Sequence, residues 1–240
     1  MNFFAWFYFW MILSSCMLAM GQDIDDKESG KITGRKAWLI QTGIPEGLEN
    51  PVKIMIGRDI QSVTLSNRMA TGPIKIPSDG IIRLVREIPD PKNPEKTLYQ
   101  TLAEAMVPEK MDQALIILVP VLNKAAEGRV FTSKVQGLTD FKGGDCLYIN
   151  LTNVNVAIEI AESKIPLKPG DSKIFDGEAY IEATSVPFRY SYFHPEKKKW
   201  KVLTASLAIM SGTRREIWIF SFNANTDQVK CHGITFPVDS

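Results

Sequence analysis

The chain contains few of the residues that most often carry catalysis or bind metals. It has two histidines, His194 and His232, and three cysteines among 240 residues. It lacks the Gly-x-Ser-x-Gly, His-Glu-x-x-His, Gly-x-Gly-x-x-Gly and phosphate-loop patterns. Cys231 and His232 are neighbours, but adjacent strand residues point to opposite faces, which argues against a shared metal ion. The sequence therefore predicts no catalytic motif, no cofactor and no metal site.

The chain also has little excess charge of either sign. Its 28 basic and 27 acidic residues give a net charge of +1, and no long basic run is present. A nucleic-acid-binding surface needs a concentration of positive charge, so we expect no nucleic-acid partner. Hydrophobic content of 45% and charged content of 23% are typical of a globular protein.

The N-terminal segment has no charged residue before Asp23. Residues 3–13 are continuously apolar, as in the central region of an export signal, and Ala19-Met20-Gly21 supplies small residues before a polar stretch. We expect a signal peptide over 1–21, cleavage after Gly21, and a flexible leader over 22–35.

Two other interpretations of this segment stay open. Leu13-Ser14-Ser15-Cys16 resembles a bacterial lipobox, which would make Cys16 a lipid-bearing N-terminus. Residues 3–20 could instead remain as an uncleaved anchor. All three interpretations export the chain, so we expect a secreted, periplasmic or cell-envelope protein. Membrane contact is expected only through the N-terminal segment, if it is lipidated or uncleaved.

Cys146 and Cys231 are the two cysteines that follow the N-terminal segment. Exported chains meet oxidising conditions, so a disulfide between them is one alternative, and two free thiols are the other. A bridge requires the two Cα atoms to be close in space, which the fold determines.

Residues 36–122 and 146–238 share one pattern of short alternating strands. Ile56 matches Ile158 and Ile117 matches Ile219 at an offset of about 102 positions, while Arg83 matches Arg189. Short strands separated by turns, without a helix-period stretch, predict an all-β protein. We expect two tandem Ig-like antiparallel β-sandwich domains, an internal duplication, over 36–122 and 146–240 with a connection over 123–145.

Several local expectations follow from this pattern. Asp79-Gly80 predicts a tight hairpin between strands at 74–76 and 81–85. Residues 99–106 are predicted as a strand by their match to the second copy, although their own propensity is helical. The apolar runs 115–121 and 217–220 predict strands covered on both faces. Further strands are predicted at 179–184 and 187–193, with a hairpin formed by 200–209 and 215–222. Trp218 should be buried and Trp200 partly exposed.

A resemblance to known proteins rests on two segments of the second copy, Gly144-Asp145-Cys146-Leu147-Tyr148-Ile149-Asn150-Leu151-Thr152 and Leu167-Lys168-Pro169-Gly170. With them the chain resembles uncharacterised exported bacterial tandem β-sandwich proteins. The resemblance covers mainly the second unit and implies a sandwich fold without a known activity.

Two groups of residues are candidates for contact with a ligand. The segment 190–201 mixes aromatic side chains with a lysine-rich hairpin tip, from which Trp200 and Lys199 are speculative ligand contacts, although the aromatics could equally belong to the core. Acidic residues also recur in turns of the second unit, where they either cap backbone groups or meet in a catalytic or calcium site. They are Asp140, Asp145, Asp171, Asp176 and Glu178.

These observations predict an exported, non-catalytic β-sandwich protein with a structural or binding role in the cell envelope or outside the cell. Its partner would be an envelope polymer, a glycan or a protein. The alternative function is a carbohydrate-active hydrolase, whose acidic residues would meet at loop ends or between the two domains.

Overall fold

The computed structural model describes residues 33–121, 128–223 and 228–236, and every helix or strand in these ranges is a β-strand. The predicted signal peptide, its cleavage site after Gly21, the alternative lipid site Cys16 and most of the leader lie outside the described residues. In the described residues no helix is long and apolar enough to cross a membrane.

The first half of the chain forms two four-stranded sheets. We call them inner sheet 1, with strand order β4-β1-β7-β8, and outer sheet 1, with order β3-β2-β5-β6. Their strands are β1 (Lys36–Gln41), β2 (Val52–Ile56), β3 (Asp59–Val63), β4 (Thr71–Lys75), β5 (Ile81–Asp90), β6 (Asn93–Met106), β7 (Gln113–Pro120) and β8 (Phe131–Gly137).

The second half forms two more four-stranded sheets with the same strand order. Inner sheet 2 has the order β12-β9-β15-β16 and outer sheet 2 the order β11-β10-β13-β14. Each inner sheet contains one parallel pair, β1 with β7 and β9 with β15. The strands are β9 (Cys146–Asn150), β10 (Val156–Ile160), β11 (Ser163–Leu167), β12 (Ser172–Phe175), β13 (Thr184–His194), β14 (Lys199–Met210), β15 (Arg215–Asn223) and β16 (Gln228–Phe236).

The sheets pack through three buried clusters. The core of the first sandwich lies between outer and inner sheet 1 and includes Ile54, Leu84 and Ile116. The core of the second sandwich lies between inner and outer sheet 2 and includes Tyr148, Ile158 and Phe220. A third cluster joins the two inner sheets, so the described strands stack in four layers. Its buried members are Trp38, Ile40, Leu115, Ile117, Leu138, Phe141, Leu147, Ile149, Ile217, Ile219, Ile234 and Phe236.

This third cluster explains the apolar runs on β7 and β15. Residues 115–118 of β7 are fully buried because alternate side chains face the first core and the second sandwich. Ile217 and Ile219 face the first sandwich, while Phe220 faces the core of the second. The expectation of strands covered on both faces is therefore confirmed. Trp218 is only half-buried, although it packs against the second core, and Trp200 is 51% exposed as predicted.

The register shows which positions of the two sandwiches correspond. Arg83 lies opposite Met55 and Arg189 opposite Glu159, so these two arginines occupy equivalent positions, as predicted. Ile56, however, closes the β2–β3 hairpin as Ile160 closes β10–β11, and its predicted match to Ile158 is wrong by two residues. A shift of two preserves the side-chain face, so the alternating pattern alone could not reveal the error.

Two predicted hairpins are wrong because their strands belong to different sheets. The Asp79-Gly80 turn joins β4 of inner sheet 1 to β5 of outer sheet 1. Likewise β14 lies in outer sheet 2 and β15 in inner sheet 2, so the strands at 200–209 and 215–222 do not pair. The strand predicted at 179–184 is mainly turn and loop, while β12 at Ser172–Phe175 has no counterpart among the predictions. The strand predicted at 99–106 is confirmed within β6.

Part of the segment expected as a connection is regular structure. β8 pairs antiparallel with β7 and completes inner sheet 1. This segment also reaches outer sheet 1. Val130, just before β8, donates its N–H to the Leu102 carbonyl at 2.9 Å, and the Ser133 hydroxyl donates to the Glu104 carbonyl. The segment before and within β8 therefore covers the edge of β6.

The two cysteines are free thiols. Cys146 on β9 lies beside Glu216 of β15, whereas Cys231 on β16 lies beside Phe220 on the other side of β15. The four-residue offset alone corresponds to roughly 13 Å along the strand, so the suggested Cys146–Cys231 bridge does not form in this fold. Burial raises the pKa of the Cys146 thiol to about 12 and also raises that of Cys231.

Candidate functional site

A cleft of about 470 Å³ opens at the end of the second sandwich where β13 turns into β14. It lies at the mouth between inner and outer sheet 2, because residues from the ends of both sheets line it. We call it the basic-aromatic cleft. Its lining residues are Asn153, Val154, Tyr192, His194, Pro195, Glu196, Lys197, Lys201, Phe222 and Gln228.

The floor of the basic-aromatic cleft is the end of the second core. Tyr192 is a member of this core and is 7% exposed, and Val154 and Phe222 pack against the same cluster. Tyr192 faces inward because strand residues alternate and Tyr190 and Val186 on the same strand are also buried. The floor is therefore apolar and is held in place by the packing of the sandwich.

Cationic and aromatic groups form the rim. The Lys201 ammonium lies 5.9 Å from the centre of the Tyr192 ring. The His194 ring stacks on Tyr192, with centroids 6.2 Å apart and planes inclined by 27°. The Lys197 backbone N–H donates to His194 Nδ1 at 3.4 Å. Glu196 is the acidic side chain of the rim.

Asn150 positions the loop that forms one wall of the cleft. Its Nδ2 shares two hydrogens among the carbonyls of Val154, Leu167 and Lys168, which lie at 2.8, 3.1 and 3.1 Å. Its Oδ1 accepts from the Thr152 N–H at 2.9 Å and from the Thr152 hydroxyl at 2.7 Å. A fully buried side chain thus fixes the turn that presents Asn153 and Val154 to the cleft.

The two speculative contacts, Trp200 and Lys199, lie on different faces of β14. Trp200 pairs with Phe193, one residue from Tyr192 along β13, and therefore points to the outer face of the sheet. Lys199 pairs with His194 and shares its face, beside the rim of the cleft. The structure brings neither residue into the lining of the cleft.

The acidic residues of the second unit converge in part. Asp140, Asp145, Asp176 and Glu178 line a separate cavity of about 350 Å³, while Asp171 lies in the turn before β12 and accepts from the Lys168 N–H at 3.1 Å.

Two of the four converging carboxylates cap backbone groups. Both oxygens of the buried Asp145 are engaged, since Oδ2 accepts from the Lys142 N–H at 2.8 Å and Oδ1 from the Gly177 N–H at 3.1 Å. Asp176 accepts from the Glu178 N–H at 2.9 Å. This is the capping role that turn acids usually have. Among the described residues no group of three or more histidine, cysteine, aspartate or glutamate side chains is placed to hold a metal ion.

Sequence reasoning found one half of the basic-aromatic cleft. Tyr192, His194, Lys197 and Lys201 belong to the segment 190–201 that its composition singled out. Asn153, Phe222 and Gln228 come from loops and strand ends elsewhere, and only the topology brings them to the same end of the sandwich. The sequence gives one indication of this loop, because the polar Asn150 ends the apolar strand β9 and the polar Thr152 follows it.

No family model matches the chain, and no curated protein is significantly similar to it.

Proposed function

We propose that the protein is exported and non-catalytic, and that its second sandwich binds an acidic glycan of the cell envelope in the basic-aromatic cleft. The observation that carries this proposal is the combination of an aromatic floor with a cationic rim at Tyr192, His194, Lys197 and Lys201. The export part rests on the N-terminal segment. An internal duplication and an Ig-like ancestry are the interpretation that we give to the shared strand order.

The chemistry of the rim suits a carboxylate-bearing sugar. The partly exposed rings of His194 and Phe222 offer faces on which a sugar ring can lie. The Lys197 and Lys201 ammonium groups can bond carboxylates through charge-assisted hydrogen bonds. Asn153 and Gln228 add amide groups that can donate to and accept from hydroxyls. A cavity of about 470 Å³ lies within the usual range for small-ligand sites.

A hydrolase acting through the acidic cavity is the weaker candidate. Its support is the convergence of Asp140, Asp145, Asp176 and Glu178 around one space. Glycoside hydrolysis requires a carboxylic acid and a carboxylate that can reach the substrate. Asp145 does not meet this requirement, because its two oxygens already accept backbone hydrogen bonds.

Isothermal titration calorimetry tests the binding proposal. An oligogalacturonate should bind the purified protein, whereas a neutral malto-oligosaccharide of equal length should bind at least about tenfold more weakly. Replacing both cleft lysines, Lys197→Gln with Lys201→Gln, should weaken oligogalacturonate binding by about tenfold or more, because two charge-assisted contacts are lost.

The matched control removes the same charge elsewhere. Lys92→Gln with Lys96→Gln alters the equivalent hairpin of the first sandwich, where both lysines are exposed. Its affinity should stay within about twofold of the unmodified protein. Equal losses in both double variants would show non-specific charge attraction, and shortened sugar products after incubation would favour the hydrolase instead.

A further inference from the structure

The free edge of β14 carries a long uncharged stretch. Residues 202–210 contain no charged residue and no proline over nine positions. β14 is the last strand of outer sheet 2 and pairs on one side with β13. No described residue outside β13 forms a backbone hydrogen bond with it.

The outer face of the same strand is apolar and exposed. Its side chains pair with outward-facing residues of β13, which places them on the side of the sheet opposite the second core. They are Trp200, Val202, Leu207 and Ile209, which are 51%, 60%, 64% and 51% exposed.

The first sandwich offers a direct comparison. β6 is the equivalent strand of outer sheet 1, but its edge is covered through Val130 and Ser133. On its outer face Glu104 pairs with Arg83 at 2.7 Å, at the position that Ala205 occupies opposite Arg189. Natural sheets protect exposed edges with such charges or with covering segments. β14 has the uncharged Ala205 at this position, and the described residues provide no covering segment.

The remaining edge strands carry protective residues. β3 contains Asp59, β4 contains Pro73 and Lys75, β8 contains Lys134, β11 contains Lys164 and Pro166, β12 contains Lys173, and β16 contains Lys230. β14 itself contains Lys199 and Lys201 at its start and a β-bulge at Leu203. What distinguishes it from the other edge strands is the length of its uncharged stretch, nine residues over 202–210.

We propose that β14 pairs antiparallel with β14 of a second copy of this chain, joining two outer sheets 2 into one continuous sheet. The charge distribution supports this occupant. With a twofold axis at Ser206, the uncharged stretch 202–210 of one copy pairs with the same stretch of the second copy. Lys201 then lies opposite Ser211 of the second copy. The two Lys201 residues are then roughly 33 Å apart along the strands, well beyond the screening length at physiological salt. The backbone groups of β14 that point away from β13 gain partners on both sides of the bulge at Leu203, and the exposed apolar side chains become cross-strand neighbours.

Sedimentation velocity of the purified protein over about 1–100 µM tests the pairing. We expect a reversible dimer. Leu207→Glu should weaken it by about tenfold or more, because the two carboxylates become close diagonal neighbours across the axis, at roughly 7–8 Å. Leu207→Met should keep the dimer. The same substitution on the equivalent strand of the first sandwich, Leu98→Glu, should leave it unchanged, since Leu98 is also exposed but lies on the covered edge strand.

Hydrogen exchange provides a second measurement that does not depend on a variant. The amides of residues 202–210 that point away from β13 should be protected at high protein concentration and should exchange faster on dilution. A protein that stays monomeric over the whole range would overturn the proposal, as would a Leu207→Glu variant that folds and dimerises like the original. A dimer that Leu98→Glu disrupts equally would place the interface elsewhere and also overturn it.

Discussion

Asn150 and Gln41 occupy equivalent positions and should respond in opposite ways to the same substitution. Each is the last residue of the first strand of its sandwich, and both are 0% exposed. The two Nδ2 hydrogens of Asn150 are shared among three backbone carbonyls, and its Oδ1 accepts two hydrogen bonds. Neither amide atom of Gln41 has a hydrogen-bond partner among the described residues.

The magnitudes follow from these contacts. Each hydrogen bond contributes about 0.5–1.5 kcal/mol, so Asn150→Leu should lower the free energy of unfolding by about 3–5 kcal/mol. That is a large part of the roughly 5–15 kcal/mol that holds a domain folded. An unpaired buried amide costs about 1–3 kcal/mol, so Gln41→Leu, which keeps a similar volume, should raise the free energy of unfolding by about 1–2 kcal/mol.

Urea unfolding of the two variants tests both predictions. If the dependence of the unfolding free energy on urea concentration is unchanged, the shift of each midpoint reports the change in stability. A Gln41→Leu variant that loses as much stability as Asn150→Leu would refute the reasoning, because it would mean that the Gln41 amide makes bonds of equal value. Asn150→Leu should also weaken ligand binding in the basic-aromatic cleft, since the loop bearing Asn153 depends on it.

Three further predictions concern the tryptophans, the thiols and the half-buried His232. Trp218→Ala should lower the free energy of unfolding, measured in urea, by about 2–4 kcal/mol, because the Trp218 ring packs 5.2 Å from that of Tyr190. Trp200→Ala should lower it by less than about 0.5 kcal/mol, because Trp200 is exposed. The reverse order would contradict our assignment of inside and outside. Cys146 and Cys231 should resist iodoacetamide at pH 8 until the protein is unfolded, because burial raises both pKa values; intact-mass detection of a bridge would contradict the register. The pKa of His232 in the folded protein is lowered, mainly by burial and secondly by the positive charge of Lys230. As the pH falls through about 6.5, the pKa of an unperturbed histidine, the unfolded chain therefore binds a proton before the folded protein does. Stability should therefore decline from pH 7.5 to pH 5 by more in the unmodified protein than in His232→Gln; equal slopes would exclude this role.

The all-β class and the strand repeat could be predicted because alternation is a local property. Ile217, Ile219 and Phe220 belong to one apolar run, which indicates a strand buried on both faces. In the structure, Ile217 and Ile219 pack in the cluster between the inner sheets, and Phe220 packs in the core of the second sandwich. The sheet to which each strand belongs could not be predicted in the same way. The Asp79-Gly80 turn has the residues of a hairpin, but whether the chain returns to the same sheet depends on distant partners such as β1 and β2.

The candidate site shows the same division between local and distant information. The aromatic and basic residues of the β13–β14 hairpin lie in one short segment of the sequence, so Tyr192, His194 and Lys201 could be identified from composition. Which face each side chain occupies depends on strand register, and Trp200 turned out to lie on the outer face. Phe222 and Gln228 are separated from the hairpin in sequence, and the packing of the two sheets alone places them at the cleft.

The most direct test of the proposed function is to locate the bound ligand by nuclear magnetic resonance. An oligogalacturonate titrated into labelled protein should shift the signals of Asn153, His194, Lys197 and Gln228 the most, and should give transfer of magnetisation from the sugar to the Tyr192 ring. Shifts centred on Asp140 and Asp176, or the absence of any localised shift at saturating sugar, would contradict binding in the basic-aromatic cleft.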